Sequence, residues 1–239
     1  MKTAAIVLSG GSGKRMHADR PKQYLDLNGK PVICHALLAF EKSEVDEIVL
    51  VCGASDLDYC REEIVERYGM AKVKMIVPGG KERYHSVYNG LKAIEETGGC
   101  DYVLIHDGAR PLVTGDVIAR SLEDAIRFGA SVAGVPSKDT VKISDAEGFV
   151  GSTPKRENVW QIQTPQTFSF SLICEANKKL MDNEEEWLKK GLVITDDAMI
   201  VETMTGRKVK ITMGDEKNLK VTTPQDLIIA GYLAENSCL

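Results

Sequence analysis

The sequence predicts an α/β protein in which a mostly parallel, open sheet carries helices on both faces and one projecting β-hairpin arm. Three observations predict it. Short apolar runs alternate with stretches of helical periodicity through the first 135 residues. The alternation breaks after Pro136, where polar and apolar residues alternate singly around a turn. And a chain of 239 residues can bury a sizeable core without disulfides or structural metals.

Residues 3–8 form an apolar run that ends in Ser-Gly-Gly-Ser-Gly, a buried strand feeding a glycine-rich turn. Residues 31–40 place Val32, Ile33, Ala36, Leu37 and Phe40 at helical spacing, and Pro31 suits a first helical turn. A second buried strand over 48–52 leads into a polar helix over 56–68. A third strand, 73–77, stops at Pro78-Gly79-Gly80. A helix over 82–96, a strand over 102–105, a helix over 117–128 and a fifth strand over 130–135 follow. Residues 139–144 and 149–150 flank the turn Asp145-Ala-Glu-Gly148 and pair as an antiparallel hairpin, since no crossover helix fits between them. The arm spans 137–158 and has too few apolar residues to stand alone. Trp160 reads as packing at its root. Beyond it come helices over 172–181 and 195–204, a strand over 208–213 and a last helix. Thr195 and Thr223 read as helix N-caps, the second followed by proline and then an acid. No repeat, linker or low-complexity segment interrupts residues 1–239, so one domain with an arm is expected, in a Rossmann-like layout.

Composition narrows the function. A formal net charge of −5 and 6% aromatics disfavour a nucleic-acid surface. No apolar run approaches the ~18 to 20 residues of a membrane span. The N-terminus enters a strand directly, without a signal peptide's apolar region, so a soluble cytoplasmic protein is expected. The six cysteines lack C-x-x-C spacing, Cys34 and Cys52 read as buried thiols, and the four histidines show no i, i+4 pairing. A metal held by protein nitrogen or sulfur is therefore not expected. Residues 10–30 carry a local charge of +3, from Lys14, Arg15, Arg20, Lys22 and Lys30 against Asp19 and Asp26. Such a compact cationic segment on an acidic protein suits a small anionic ligand, although a solvated basic loop has the same composition.

The first turn sharpens the choice. Glycines after a strand let backbone N–H groups approach a phosphate or a base edge. Residues 8–16 are neither a Walker A motif, because Arg15 follows Gly13-Lys14, nor a dinucleotide fingerprint, because position 16 is Met. By itself the loop also fits a tight turn with no ligand. Arg15 and Lys22, just beyond the cradle, can gather around polyphosphate oxygens, the first as a fork and the second as a point charge. Phosphoryl and nucleotidyl transfer needs that arrangement, since the protein's task is mostly positioning and charge stabilisation. The fourth strand ends His106-Asp107-Gly108-Ala109-Arg110-Pro111, and ligands of open parallel sheets bind outside the carboxyl ends of strands. Asp107 is thus placed to bind a metal or substrate, or simply to cap the following turn.

With these blocks the sequence resembles the 2-C-methyl-D-erythritol 4-phosphate cytidylyltransferases of the non-mevalonate isoprenoid pathway. The resemblance runs from about residue 4 to 232, through blocks at 11–16, 21–24, 79–83 with Ser86-Val87, 106–111, 138–142, 160–168, 195–198 and 218–224. It implies a fold like that of the nucleotide-diphospho-sugar transferases. It also implies that CTP and methylerythritol phosphate give the CDP-alcohol and pyrophosphate with Mg²⁺. On the matching positions, Arg15 and Lys22 stabilise the transition state. Ser9, Gly10, Gly11, Gly80 and Ser86 hold the nucleotide, with Asp107 and Lys220 between it and the second substrate. Arg110, Thr140, Arg156, Thr164 and Thr195 belong to the alcohol-phosphate side. Asp107 is the one candidate metal ligand, Mg²⁺ resting mainly on the CTP phosphates. Thr140 and Arg156 lie on the arm, which in the family reaches into the partner's site, so a homodimer is implied. The family more often has alanine where this chain has Ser9 and Gly10, and an acid where it has Lys81. The nearest rival is ribitol 5-phosphate cytidylyltransferase. Residues 138–142, the Trp160 block and Gly108-Ala109 favour the isoprenoid enzyme. A CTP sensor without turnover is a rival of another class, disfavoured by the presence of both Arg15 and Lys22.

Overall fold

The computed structural model describes residues 1–11 and 20–236. Lys14, Arg15 and Asp19 of the cationic segment lie outside the described residues. The first half of the chain forms β1 (Thr3–Ser9), a small hairpin of β2 (Asp26–Leu27) and β3 (Lys30–Pro31), α1 (Val32–Glu41), β4 (Glu47–Cys52) and α2 (Leu57–Tyr59). It continues with β5 (Val73–Pro78), α3 (Arg83–Glu96), β6 (Tyr102–Asp107), α4 (Gly115–Phe128) and β7 (Ala130–Pro136). The arm carries β8 (Ile143–Ser144) and β9 (Val150–Ser152). The remainder holds β10 (Trp160–Ser169), α5 (Phe170–Asp182), α6 (Glu184–Lys189), α7 (Asp197–Thr205), β11 (Lys210–Met213) and α8 (Pro224–Glu235).

Seven strands form one sheet in the order β11-β7-β10-β6-β1-β4-β5. All run parallel except β10, which is antiparallel to both neighbours. The open α/β sheet that the alternation predicts is therefore present, with one strand reversed. That strand is the main element the hydropathy pattern does not reveal. Its buried positions include Gln163, Thr164, Gln166 and Thr167, so no apolar run marks it. It also contains Pro165, which cannot donate to a ladder; the pairing with β7 skips from Ile162 to Gln166, and the proline falls in the gap.

The period of two along β1 divides the core. Ile6 packs with Val49, Val87, Leu91, Ile105 and Phe168 on the face covered by α3, α5 and α7. Ala5 and Val7 pack with Ile33, Leu37, Leu50 and Val117 on the face covered by α1 and α4. Each fully buried Ile or Leu here contributes roughly 1.5–3 kcal/mol. Gly90 lets α3 approach closely, since a Cβ there would stand 3.0 Å from Ile6 Cγ2. Cys34 and Cys52 are buried free thiols, as expected.

The arm leaves the sheet where the sequence places it. Its root is closed by Ser137 N–H donating to Val159 O at 2.8 Å, and β8 and β9 pair antiparallel. Trp160 begins β10 opposite Pro136, at that root. Ile143, Phe149 and Val150 are 56%, 68% and 62% exposed, so the described residues leave the hairpin's apolar side chains uncovered.

Two expectations need correction. The helix over 56–68 is broken up: a 3-10 turn and the short α2 run into a π-helical stretch, Cys60–Glu66, with Arg67 N–H reaching back to Glu62 O. The helix over 195–204 begins two residues later, because Asp196 is its N-cap. Its Oδ1 accepts from Met199 N–H at 2.9 Å and Gln166 Nε2 donates to its Oδ2, leaving Thr195 exposed outside the helix. The β2–β3 hairpin and α6 are further additions, too short for periodicity to mark. The start of α8 is as expected, with Thr223 Oγ1 and the Asp226 carboxylate accepting from each other's backbone N–H.

Candidate active site

The parallel strands all end at one edge of the sheet, and the site is built there. A cleft of about 400 Å³ opens at that edge. The residues assigned to the nucleotide, Ser9, Gly10, Gly11, Gly80, Ser86, Asp107 and Lys220, line it together with Lys22, assigned to the transition state, and with Gln23, Lys81, Glu82 and Arg83. The glycine turn after β5 is shaped by its neighbours. Gly80 N–H donates to Ser86 Oγ at 3.0 Å, and a Cβ at Gly80 would overlap the Cβ of His85. The first turn of α3 is fixed by a capping box in which His85 Nδ1 accepts from Glu82 N–H and the Glu82 carboxylate accepts from His85 N–H.

Lys22 opens a 3-10 turn, Lys22–Tyr24, whose other two residues are anchored. Gln23 Nε2 donates to Ser9 O at 2.6 Å, and Tyr24 OH donates to Asp56 Oδ2 at 3.2 Å. Lys22 thereby lines the cleft together with Leu8 and Ser9 of β1.

Asp107 is the electrostatic centre of the far wall. Arg83 Nε donates to its Oδ1 at 3.1 Å and Lys220 Nζ to its Oδ2 at 2.7 Å. Arg83 also donates through Nη1 to Asp197 Oδ2 at 2.8 Å. Burial alone would raise the Asp107 carboxyl, but Arg83 and then Lys220 hold it well below the usual carboxylate range. At the fully buried Asp197 desolvation prevails and pushes the carboxyl up, with Arg83 opposing.

A neutral relay supports this wall from behind. Asp107 N–H donates to Thr164 Oγ1 at 3.1 Å, and Thr164 Oγ1 lies 2.9 Å from His106 Nδ1. His106 Nε2 donates to Arg110 O at 3.1 Å, so Nδ1 must accept from the threonine hydroxyl. Burial pushes His106 down to about 4, which keeps the imidazole neutral.

A second cleft, of about 460 Å³, lies beside the first and is lined by Arg110, Lys138, Gln163 and, again, Lys220. Arg110 is braced by donating Nη1 to Asn218 O at 2.7 Å, and burial lowers its pKa. The other residues assigned to the alcohol phosphate are placed differently. Thr164 is 4% exposed, with its hydroxyl engaged in the relay. Thr140 and Arg156 bond to each other on the exposed arm, at 3.1 Å, and line neither cleft of their own chain. Thr195 is exposed, its hydroxyl 3.5 Å from Met199 Sδ. Sequence reasoning gives no role to Arg83 or Asp197. Both fall inside recognisable blocks, but nothing in a linear pattern brings together residues 114 positions apart.

A glycine-lined cleft at the carboxyl edge of a mostly parallel sheet, with Lys22 and Lys220 over it, defines a nucleotidyltransferase of the α/β class. The family model for IspD, 2-C-methyl-D-erythritol 4-phosphate cytidylyltransferase, matches residues 3–236. The chain belongs to that family. Proteins of that name from Alkaliphilus oremlandii and Lachnospira eligens are 48% and 49% identical, over 96% and 95% of this chain and 93% and 96% of their own. The 4-diphosphocytidyl-2C-methyl-D-erythritol synthase of Anaerococcus prevotii superposes with a TM-score of 0.81 at 31% identity, covering 98% of this chain and 99% of that one.

Proposed function

We propose that this protein transfers a cytidylyl group from CTP to 2-C-methyl-D-erythritol 4-phosphate, as a cytoplasmic homodimer of single nucleotidyltransferase domains. The observation that carries the reading is Lys220, which lines both clefts and so can touch both substrates. CTP takes the first cleft, its base against Ser9, Gly10, Gly11, Gly80 and Ser86. The alcohol phosphate takes the second, toward Arg110. One of its phosphate oxygens attacks the CTP α-phosphorus in line, the bond from that phosphorus to the bridging oxygen of the β-phosphate breaks, and pyrophosphate leaves. Negative charge builds on the α-phosphate oxygens, where Lys22 and Arg15 act. Removing one such donor costs ~10²- to 10³-fold in rate, by analogy with oxyanion-hole donors.

When bound, Mg²⁺ supplies neutralisation of the triphosphate. The donor set fits a metal that arrives on the nucleotide. Both oxygens of Asp107 accept from cations, and the described residues contain no group of three or more potential ligands. Asp107 is then at most one ligand among phosphate oxygens and water. The homodimer is supported by the uncovered Ile143, Phe149 and Val150 of the arm and by the placement of Arg156 on it. Among the described residues no helix is long and apolar enough to cross a membrane.

The test is pyrophosphate release with CTP and either methylerythritol phosphate or ribitol 5-phosphate. Turnover far faster with methylerythritol phosphate is expected. Equal or reversed preference would remove the assignment.

A further inference from the structure

We propose that Asp197 is a positioning residue for Lys220, acting through Arg83 and Asp107. The inference rests on the reading of Lys220 as a contact to both substrates. A lysine ammonium is a point charge on a flexible stem, so its position is only as definite as its partner's. Here the partner is Asp107 Oδ2, at 2.7 Å. A carboxylate held at one oxygen can still turn about its Cβ–Cγ bond; Asp107 is held at the other as well, by Arg83 Nε at 3.1 Å. The guanidinium is fixed in turn because its Nη1 donates to Asp197 Oδ2 at 2.8 Å.

Asp197 ends the series on rigid ground. It is the first residue of α7, and its N–H and that of Ala198 both donate to Gln166 Oε1, at 3.0 and 2.9 Å. Gln166 belongs to β10 in the middle of the sheet. The orientation of a half-buried lysine thus traces back through four side chains, Asp107, Arg83, Asp197 and Gln166, to the sheet.

The arrangement is a poor design for stability alone. Asp197 is fully buried, and neither its Oδ1 nor Arg83 Nη2 has a hydrogen-bond partner among the described residues. Incompletely satisfied buried ion pairs are often no better than apolar replacements. Two carboxylates, Asp107 and Asp197, are shared among Arg83, Arg110 and Lys220. With Asp197 neutral, Asp107 is the remaining carboxylate for all three cations. The fork of Arg83 then turns onto it with both edges and competes with Lys220 for Oδ2.

The experiment is a double-mutant cycle, with pyrophosphate release and CTP binding as readouts. In the wild-type background Asp197→Asn is expected to lower kcat/KM for methylerythritol phosphate by about tenfold or more, and to weaken CTP binding by no more than Lys220→Met does. In a Lys220→Met background the same substitution is expected to change kcat/KM by less than about twofold, because there is no ammonium left to position. An equal loss in both backgrounds, or a CTP affinity that falls further than in Lys220→Met, overturns the proposal. If Asp197→Asn does not accumulate as folded protein, Arg83→Gln replaces it in the same cycle with the same expected kcat/KM pattern, read without the CTP affinity because Arg83 also lines the nucleotide cleft. A crystal structure of the variant supplies a readout independent of turnover: loss of the Lys220–Asp107 contact supports the proposal and its retention overturns it. Failure of the underlying readings looks different. Wild-type protein inactive on methylerythritol phosphate removes the substrate assignment, and a fully active Lys220→Met variant removes the role of Lys220.

Discussion

His106 shows how much one buried side chain constrains the site wall. Its neutral imidazole accepts from Thr164 and donates to Arg110 O, and Thr164 in turn accepts from Asp107 N–H. An unfolded histidine binds its proton near pH 6.5, whereas this one does so only near about 4. Between those values the unfolded chain holds the extra proton. The stabilisation is therefore complete above pH ~6.5 and is lost as the pH falls toward 4. Full loss amounts to about 3 kcal/mol, at ~1.4 kcal/mol per pKa unit. Urea unfolding of wild type and His106→Gln at pH 7.5 and 4.5 checks this: the wild type should lose about 2–3 kcal/mol more than the variant. Equal losses would mean that His106 is not held neutral. At this scale Asp107 was legible in the sequence because strand ends of open parallel sheets carry ligand-binding groups. Arg83 and Asp197 were not, because their meaning lies in a contact between the start of α3 and the start of α7.

Elements were legible where burial is apolar and periodic, and illegible where it is polar. β1, β4, β5 and β6 announce themselves as runs rich in Val, Ile and Leu, and β7 as a run of Ala and Val. β10 is equally central, but Thr167 bonds to Ser121 on α4 and Gln166 to the start of α7, so buried hydrogen bonds replace hydrophobic contacts. The cap of α7 was misplaced by one residue, since Thr195 and Asp196 are both good caps and only the Gln166 contact with Asp196 decides between them. The turn from β5 to α3 belongs to the same scale. Gly80→Ala would drive a methyl into His85 and separate the Gly80 N–H from Ser86. Overpacking of this kind costs about 1–3 kcal/mol. Titration calorimetry should show CTP binding weakened by about tenfold or more. Unchanged affinity would show that the turn yields without reshaping the nucleotide cleft.

For the molecule as a whole, the alternating pattern was enough to give the sheet, its helical layers and the arm, whereas the relation of one chain to a second could come only from the family resemblance. Arg156 lines neither cleft of its own chain, which fits an arm that serves a neighbour. Arg15→Ala and Arg156→Ala, each inactive alone, should then complement when unfolded together and refolded. With random pairing about half the dimers are mixed, each with one intact site, so roughly a quarter of wild-type activity should return. No recovery from a mixture shown by native mass spectrometry to contain mixed dimers would place Arg156 in its own subunit's site. The reversal of β10 also divides labour between the two ends of the sheet. Because that strand starts where its neighbours finish, Trp160 and the arm leave from the same edge as Asp107 and the clefts. The opposite edge holds the starts of β6 and β7 and the end of α3, where Glu96 is exposed in an ordinary helical conformation. A tether, dye or solid support attached at Glu96 therefore pulls on neither the chemistry nor the arm, and the protein has a handle at the end away from its working edge.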